Sequence, residues 1–288
     1  MWETRLRCTI GVPPRLGVRQ WGFEMSMRIS VFGRLRVVDG DVVLSSRDFD
    51  GRKPRQILQI LASHHGRTVS KDRLADLLWW DSPPADPQGS IEHYVAVLRR
   101  RLHGRGCPDA PVVQTDGPGY LLDMTLVSVD LAEFRDAVAS VGTWLHLDQV
   151  RAALRLSESD AFAEEPDADW AVGVRREIEA QRCDLLVRAA ELCLAEGETL
   201  AAARDAADAI LVEPHLESAH RALMAAHYLR GDQARALVAY QVLRERLVSE
   251  LGVDPAPQTQ GLHSAVLSHS RSADILRRLT IPQDVRSA

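Results

Sequence analysis

An α+β winged helix-turn-helix domain followed by an all-α, tetratricopeptide-like helical repeat domain is the architecture this 288-residue sequence predicts. Three observations carry that expectation. Residues 88–122 place an arginine-bearing amphipathic helix directly before a glycine-tipped hairpin. After Asp123 the apolar pattern is helical almost everywhere. Residues 183–209 match residues 217–243 at a shift of 34, the period of a tetratricopeptide unit.

Met1 to Ser26 scatters Pro, Gly, Arg and Trp without a sustained period and reads as a disordered extension, with Met25 and Met27 standing where a native start would fall. From Arg28, the residues Ile29, Val31, Leu35, Val37, Val42 and Leu44 alternate with polar neighbours around an Asp39-Gly40-Asp41 turn, which predicts a small antiparallel sheet. Arg52 to His65 carries Ile57, Leu58, Ile60 and Leu61 in helical register and stops at Gly66. Arg67-Thr68-Val69 is a short extended link. Ser70 then suits an N-cap, Asp72 sits favourably in the first turn, and Leu74, Leu77, Leu78 and Trp79 give a second helix its apolar face. Three prolines make Asp81 to Pro87 a loop.

In the third helix, Ile91, Val95, Leu98 and Leu102 recur at helical spacing and form one buried stripe. Val112 to Thr115 and Tyr120 to Leu122 are strands around the Asp116-Gly117-Pro118-Gly119 turn. Beyond them, helices are expected at 131–141, 147–157, 167–196, 198–212, 215–230, 232–250 and 256–270, broken by Pro166, Gly197, Pro214, Gly231 and the stretch from Gly252 to Pro257. The division is therefore 27–123 and 124–270, with 271–288 a C-terminal helix or tail. At the 34-residue shift Ala190 meets Met224, Ala202 meets Ala236, Ala206 meets Tyr240 and Ala209 meets Leu243.

The net charge of −5 conceals an asymmetry: residues 27–123 hold 14 Lys and Arg against 12 Asp and Glu, while residues 124–288 hold 17 against 26. The positive charge of the first part is clumped at Arg52-Lys53-Pro54-Arg55 and from Arg99 to Arg105, which concentrates a field suited to phosphates. The four cysteines form no CxxC pair, so neither a zinc knuckle nor a disulfide framework is indicated, and no apolar run reaches membrane-spanning length. A cytoplasmic, nucleoid-associated location fits best. No GxxxxGK[ST] loop or GxGxxG element exists, and the His64-His65, His215/His220 and Glu164-Glu165 groups read as solvated, capping or loop residues. No enzyme activity, cofactor or metal is expected.

With those residues in view, 27–123 resembles the winged-helix DNA-binding domain of response regulators, and Val129 to Leu267 resembles the bacterial transcriptional activation domain of the Streptomyces antibiotic regulatory protein family. The matching residues are Arg52 to Arg55, Val69 to Leu74 with Leu77-Leu78-Trp79, Val95 to Leu102 and Gly117 to Tyr120. In the second part they are His220 to Met224, Gly231, Ala236-Leu237, Tyr240 and Glu250 to Pro255. The resemblance implies a transcription factor that binds direct repeats in double-stranded promoter DNA and recruits RNA polymerase holoenzyme through sigma factor and core subunits. The outer or concave surface of the helical stack is expected either to support a homodimer on DNA or to sense a ligand.

The third helix is assigned to the major groove with Ser90, His93, Tyr94 and Val97 on its reading face, and Arg99, Arg100 and Arg101 dividing base and phosphate contacts. Arg52, Arg55, Thr115 and Tyr120 are expected at the DNA backbone. The acidic loop from Trp80 to Gln88, with Asp81 and Asp86, is expected to face polymerase. The rival reading is a helical-repeat interaction scaffold whose winged helix is degenerate, since Ala96, Val97 and Asp116 depart from the polar and arginine residues common in relatives.

Overall fold

The computed structural model describes residues 27–103, 111–140 and 146–279; the expectations for residues 1–26 and 280–288, for Arg105 in the basic clump and for the end of the 131–141 helix lie outside it. The chain opens with the expected meander: β1 (Met27–Ser30), β2 (Arg36–Asp39) and β3 (Val42–Ser45) pair antiparallel, and Gly40 turns the last two with a φ of 57°. Alternation buries Met27, Ile29, Val31, Leu35 and Val37 on one face. A 3-10 turn, Ser46–Phe49, leads into α1 (Arg52–Ser63).

The link before the second helix is itself a strand, β4 (Val69–Ser70). Ser70 then caps α2 (Lys71–Trp79) by accepting from the Arg73 amide at 3.1 Å. The third helix, α3 (Pro87–Arg101), begins earlier than the proline loop suggested. Pro87 occupies its first position, where a missing N–H costs nothing, and Asp86 caps it by accepting from the Gly89 amide at 2.9 Å. The hairpin forms as expected from β5 (Val113–Asp116) and β6 (Gly119–Leu122), and β4 pairs with β6 to complete a three-stranded wing sheet.

Beyond the wing, β7 (Val127–Val129) returns to the first sheet and runs parallel to β1, giving the order β3-β2-β1-β7. Eight helices follow among the described residues. They are α4 (Asp130–Ala139), α5 (Leu147–Leu156), α6 (Asp169–Ala195), α7 (Thr199–Val212), α8 (Glu217–Leu229), α9 (Gln233–Arg246), α10 (Pro257–Leu267) and α11 (Ser272–Leu279). A π-helical turn, Leu247–Leu251, extends α9. The repeat is visible as two stacked hairpins, α6/α7 and α8/α9; the matched pairs Ala190/Met224, Ala202/Ala236, Ala206/Tyr240 and Ala209/Leu243 are buried, while His227, matched to the buried Cys193, is only partly covered. Alanine dominates these positions because a short side chain lets helix backbones approach closely.

The two parts are clasped together by the segment between α5 and α6. Its backbone runs beside residues 31–35: the Phe162 amide donates to the Val31 carbonyl at 2.8 Å and the Gly33 amide to that of Asp160 at 2.9 Å. Glu164 accepts from the Leu35 amide and the Ser46 hydroxyl, and the fully buried Glu165 accepts from Arg52 (2.8 Å), Arg55 (3.0 Å) and Gln56 (2.8 Å). Burial alone would raise the Glu165 pKa, but those hydrogen bonds outweigh it and hold the carboxyl below its ordinary value. Arg175 fixes the segment from the other side by donating to the carbonyls of Ala161, Phe162, Glu165 and Pro166. Of the two arginines expected at the DNA backbone, Arg55 is therefore largely covered and held by a carboxylate of the helical part, while Arg52 shares that carboxylate through Nε and stays more than half exposed.

Candidate nucleic-acid interface

The third helix is covered over part of the side expected to be free, while His93 stays exposed. Ile91, Val95, Leu98 and Leu102 are buried as the spacing predicts, but Val97 is also buried, at 5% exposure, which removes it from the reading face. The reason is that α3 is enclosed on more than one side. Tyr94 leans on Trp79 of α2 with ring centroids 6.5 Å apart, and the 3-10 turn packs against the same helix. At about 100° per residue, the solvent-facing strip turns away from Ser90, Tyr94 and Val97 by roughly a quarter turn or more and centres on Glu92, His93, Ala96 and Arg100. The Ser90 hydroxyl meanwhile donates to the Asp86 carbonyl at 2.8 Å.

The arginine triplet also divides its work within the fold. Arg99 donates from Nε to the Val113 carbonyl at 2.8 Å and from Nη2 to the Thr115 hydroxyl at 2.7 Å, and its guanidinium lies 5.7 Å from the Tyr120 ring centre. Its contacts therefore run from helix to wing. Tyr120 is 4% exposed, with Lys71 5.9 Å from the ring centre, so the tyrosine is a packing platform and not a backbone contact. Thr115 is exposed, but its hydroxyl is already engaged by Arg99. Arg101 is ion-paired to Asp50, whose pKa is lowered chiefly by that hydrogen bond. Arg100 alone of the three is exposed with neither hydrogen bond nor salt bridge among the described residues.

The α2–α3 loop presents a residue that composition did not single out. Trp80 is 76% exposed and adopts a left-handed φ of 40°, held by its amide donating to the Asp76 carbonyl at 3.1 Å. Asp81 beside it is exposed, and Asp86 is exposed while serving as the α3 cap. An indole displayed to water on a strained backbone is a costly arrangement for a simple connector.

Residues 51–122 match the family model described as "Transcriptional regulatory protein, C terminal", and residues 129–267 match "Bacterial transcriptional activator domain". The regulatory protein DnrI of Streptomyces peucetius is 30% identical over 230 residues, covering 75% of this chain and 84% of DnrI. The chain belongs to the Streptomyces antibiotic regulatory protein family. The regulatory protein AfsR of Streptomyces griseus is 28% identical over 249 residues, 84% of this chain, and the chain spans 24% of AfsR's length. A solved structure of Mycobacterium tuberculosis EmbR, in complex with a low-affinity phosphopeptide, is similar at a TM-score of 0.75 and 23% identity, covering 88% of this chain and 69% of that one. Likeness at that identity shows the shared fold.

The chain is thus a DNA-binding transcriptional regulator of this family, and neither the scaffold reading nor an enzyme is favoured. In this regulator, sequence reasoning passed over Arg67 and Arg73, whose exposed side chains have neither hydrogen bond nor salt bridge among the described residues. Their signal was position: Arg67 precedes β4 and Arg73 follows the Ser70 cap, so each lies beside the elements that flank α3. By contrast Lys71 is neutralised by Glu92 across the α2–α3 gap, and Lys53 donates to the Leu78 carbonyl over the Trp79 ring. No described helix is long and apolar enough to cross a membrane.

Proposed function

We propose that this regulator activates transcription by laying the Glu92-His93-Ala96-Arg100 strip of α3 into the major groove of promoter DNA. Residues 27–123 serve as the reader and 124–270 as the activating part, and two copies sit on direct repeats. The observation that carries the reading is the free Arg100 guanidinium, which stands on the solvent-facing strip of α3 while Arg99 and Arg101 are both occupied. An arginine in that position can reach a guanine edge with two hydrogen bonds or neutralise a phosphate. Arg67 and Arg73 add phosphate contacts from the flanking elements.

A gel-shift titrated with salt tests this, using a duplex that the full chain selects from a random pool. Arg100→Ala is expected to weaken binding by about tenfold or more and to flatten the salt dependence by about one unit of log–log slope. Arg55→Ala, at a temperature where its thermal midpoint shows the variant folded, should leave that slope unchanged, because its guanidinium faces Glu165. Equal slopes for wild type and Arg100→Ala would defeat the assignment.

For the second partner, Trp80 with Asp81 and Asp86 suits a basic, apolar-pocketed surface of RNA polymerase holoenzyme, since an exposed tryptophan ringed by charge is the usual anchor of a protein interface. Trp80→Ala combined with Asp81→Asn is expected to cut transcription in vitro by several-fold with operator affinity unaltered. Parallel loss of both activities would point to misfolding of the α2–α3 loop instead of a polymerase contact.

A further inference from the structure

Away from α3, the edge of the first sheet carries a cluster of cations without counter-ions. Arg34 and Arg36, from the β1–β2 connection and β2, and Arg47, from the 3-10 turn, line one open cavity of 650 Å³. All three are exposed, and none has a hydrogen bond or salt bridge from its side chain among the described residues. Arg28, Arg52, Arg55, Arg101, Arg135 and Arg151, in contrast, each meet a carboxylate.

The single acid lining the cavity is Glu164, and its two oxygens are engaged by the Leu35 amide at 3.1 Å and the Ser46 hydroxyl at 2.8 Å. The cavity therefore holds three positive charges against one, with the negative charge directed at neutral donors. Like charges gathered this way repel unless an anion joins them. Planar guanidinium groups match the oxygens of a carboxylate or a phosphate with paired hydrogen bonds, and a net charge of two favours a phosphate dianion over a single carboxylate. Leu35, Val43 and Ala163 give the same cavity an apolar floor, with Val43 half-exposed, which suits the organic portion of a phosphate ester.

From this we infer that the Arg34-Arg36-Arg47 cavity is a phosphate-ester site, distinct from the α3 strip. Two sources share that chemistry: a free organic polyphosphate, and the sugar-phosphate rail of DNA flanking the groove that α3 enters. The cavity is built from both parts of the chain, residues 34–47 and Ala163-Glu164, so an occupant also tightens the clasp around Glu165.

The test uses the full chain and two arms. In the first, sodium tripolyphosphate and adenosine triphosphate, both free of divalent metal, are titrated calorimetrically against sodium sulfate at matched ionic strength. Binding of adenosine triphosphate well above the sulfate control, weakened by about tenfold or more in the Arg34→Gln/Arg47→Gln variant, identifies a free organic phosphate, with tripolyphosphate reporting the phosphate chain alone. In the second arm the salt dependence of duplex binding is compared for the same proteins. A slope lower by about two units in the variant, with no tripolyphosphate binding by the wild type, identifies the DNA rail. Both substitutions are on exposed side chains, and an unchanged thermal midpoint of the unliganded variant checks folding. Wild-type binding no better than sulfate, together with an unchanged slope, overturns the inference, as does equal triphosphate binding by wild type and variant. If no duplex is selected at all, the α3 reading fails separately and the polyphosphate arm alone decides.

Discussion

Replacing Glu165 with alanine is expected to lower the unfolding free energy by about 3–5 kcal/mol, the usual loss when one partner of a buried ion pair is removed. The side chain is fully buried, while Arg55 is mostly covered and Arg52 partly exposed, so most of the effect comes from the Arg55 guanidinium left without a partner. Gln56 loses its acceptor as well. Urea unfolding at neutral pH measures the difference, and an effect below about 1 kcal/mol would show that the clasp is not what holds the two parts together.

The acid limb of the same experiment has a definite sign. Because the folded pKa of Glu165 lies below its ordinary value of 4.5, its stabilisation is fully present above that value and is lost as pH falls through the folded pKa. Wild type should therefore lose stability on acidification more steeply than Glu165→Gln, whose curve lacks this contribution. Coincident slopes below pH 4.5 would contradict the direction assigned to the carboxyl.

Gly119→Ala is expected to abolish the wing. A Cβ at this position would lie 2.7 Å from the Val69 carbonyl carbon and 2.8 Å from the Ser70 Cα, and closer still to the Val69 carbonyl oxygen. All of these are backbone atoms. They cannot withdraw without breaking the β4–β6 ladder, in which Ser70 is registered against Gly119 and Val69 against Tyr120. The expected cost is about 3 kcal/mol or more, in the range of severe overpacking. Displacing Tyr120 would also remove the ring against which Arg99 and Lys71 lie, so duplex binding should fall together with the thermal midpoint. Alanine at Gly117, by contrast, meets no atom within 4 Å and is opposed only by a φ of 51°, so its cost should be about 1 kcal/mol. Similar midpoints for the two variants would refute the steric explanation.

Local pattern, though not enough to read the short strands β4 and β7, was enough to read the order of the helices and of the longer strands, the Ser70 cap, the stripe from Ile91 to Leu102, the glycine-turned hairpin and the 34-residue repeat. Each depends on residues a few positions apart, or on a repeat that copies such spacings. The candidate site was legible only in part. Periodicity located the centre of the buried stripe on α3, but not the width of the arc that Trp79 and the 3-10 turn cover. Val97 and Tyr94 were therefore placed on the open face, and Ala96 was read as a departure, not as part of the strip. The clumped arginines were recognised as a field for phosphate, yet their partners lie far along the chain: Arg52 and Arg55 meet Glu165, and Arg101 meets Asp50.

What the order of amino acids determined unaided is a winged helix followed by stacked helical hairpins, because helix and strand periods, caps and turn glycines act over short distances. Which cations stay free for an anion, and which are matched by carboxylates, was decided only when β7 joined β1 and the Glu164-Glu165 segment closed against α1. Charge pairing depends on separation in space, and two positions more than a hundred residues apart carry no local signal that they will meet.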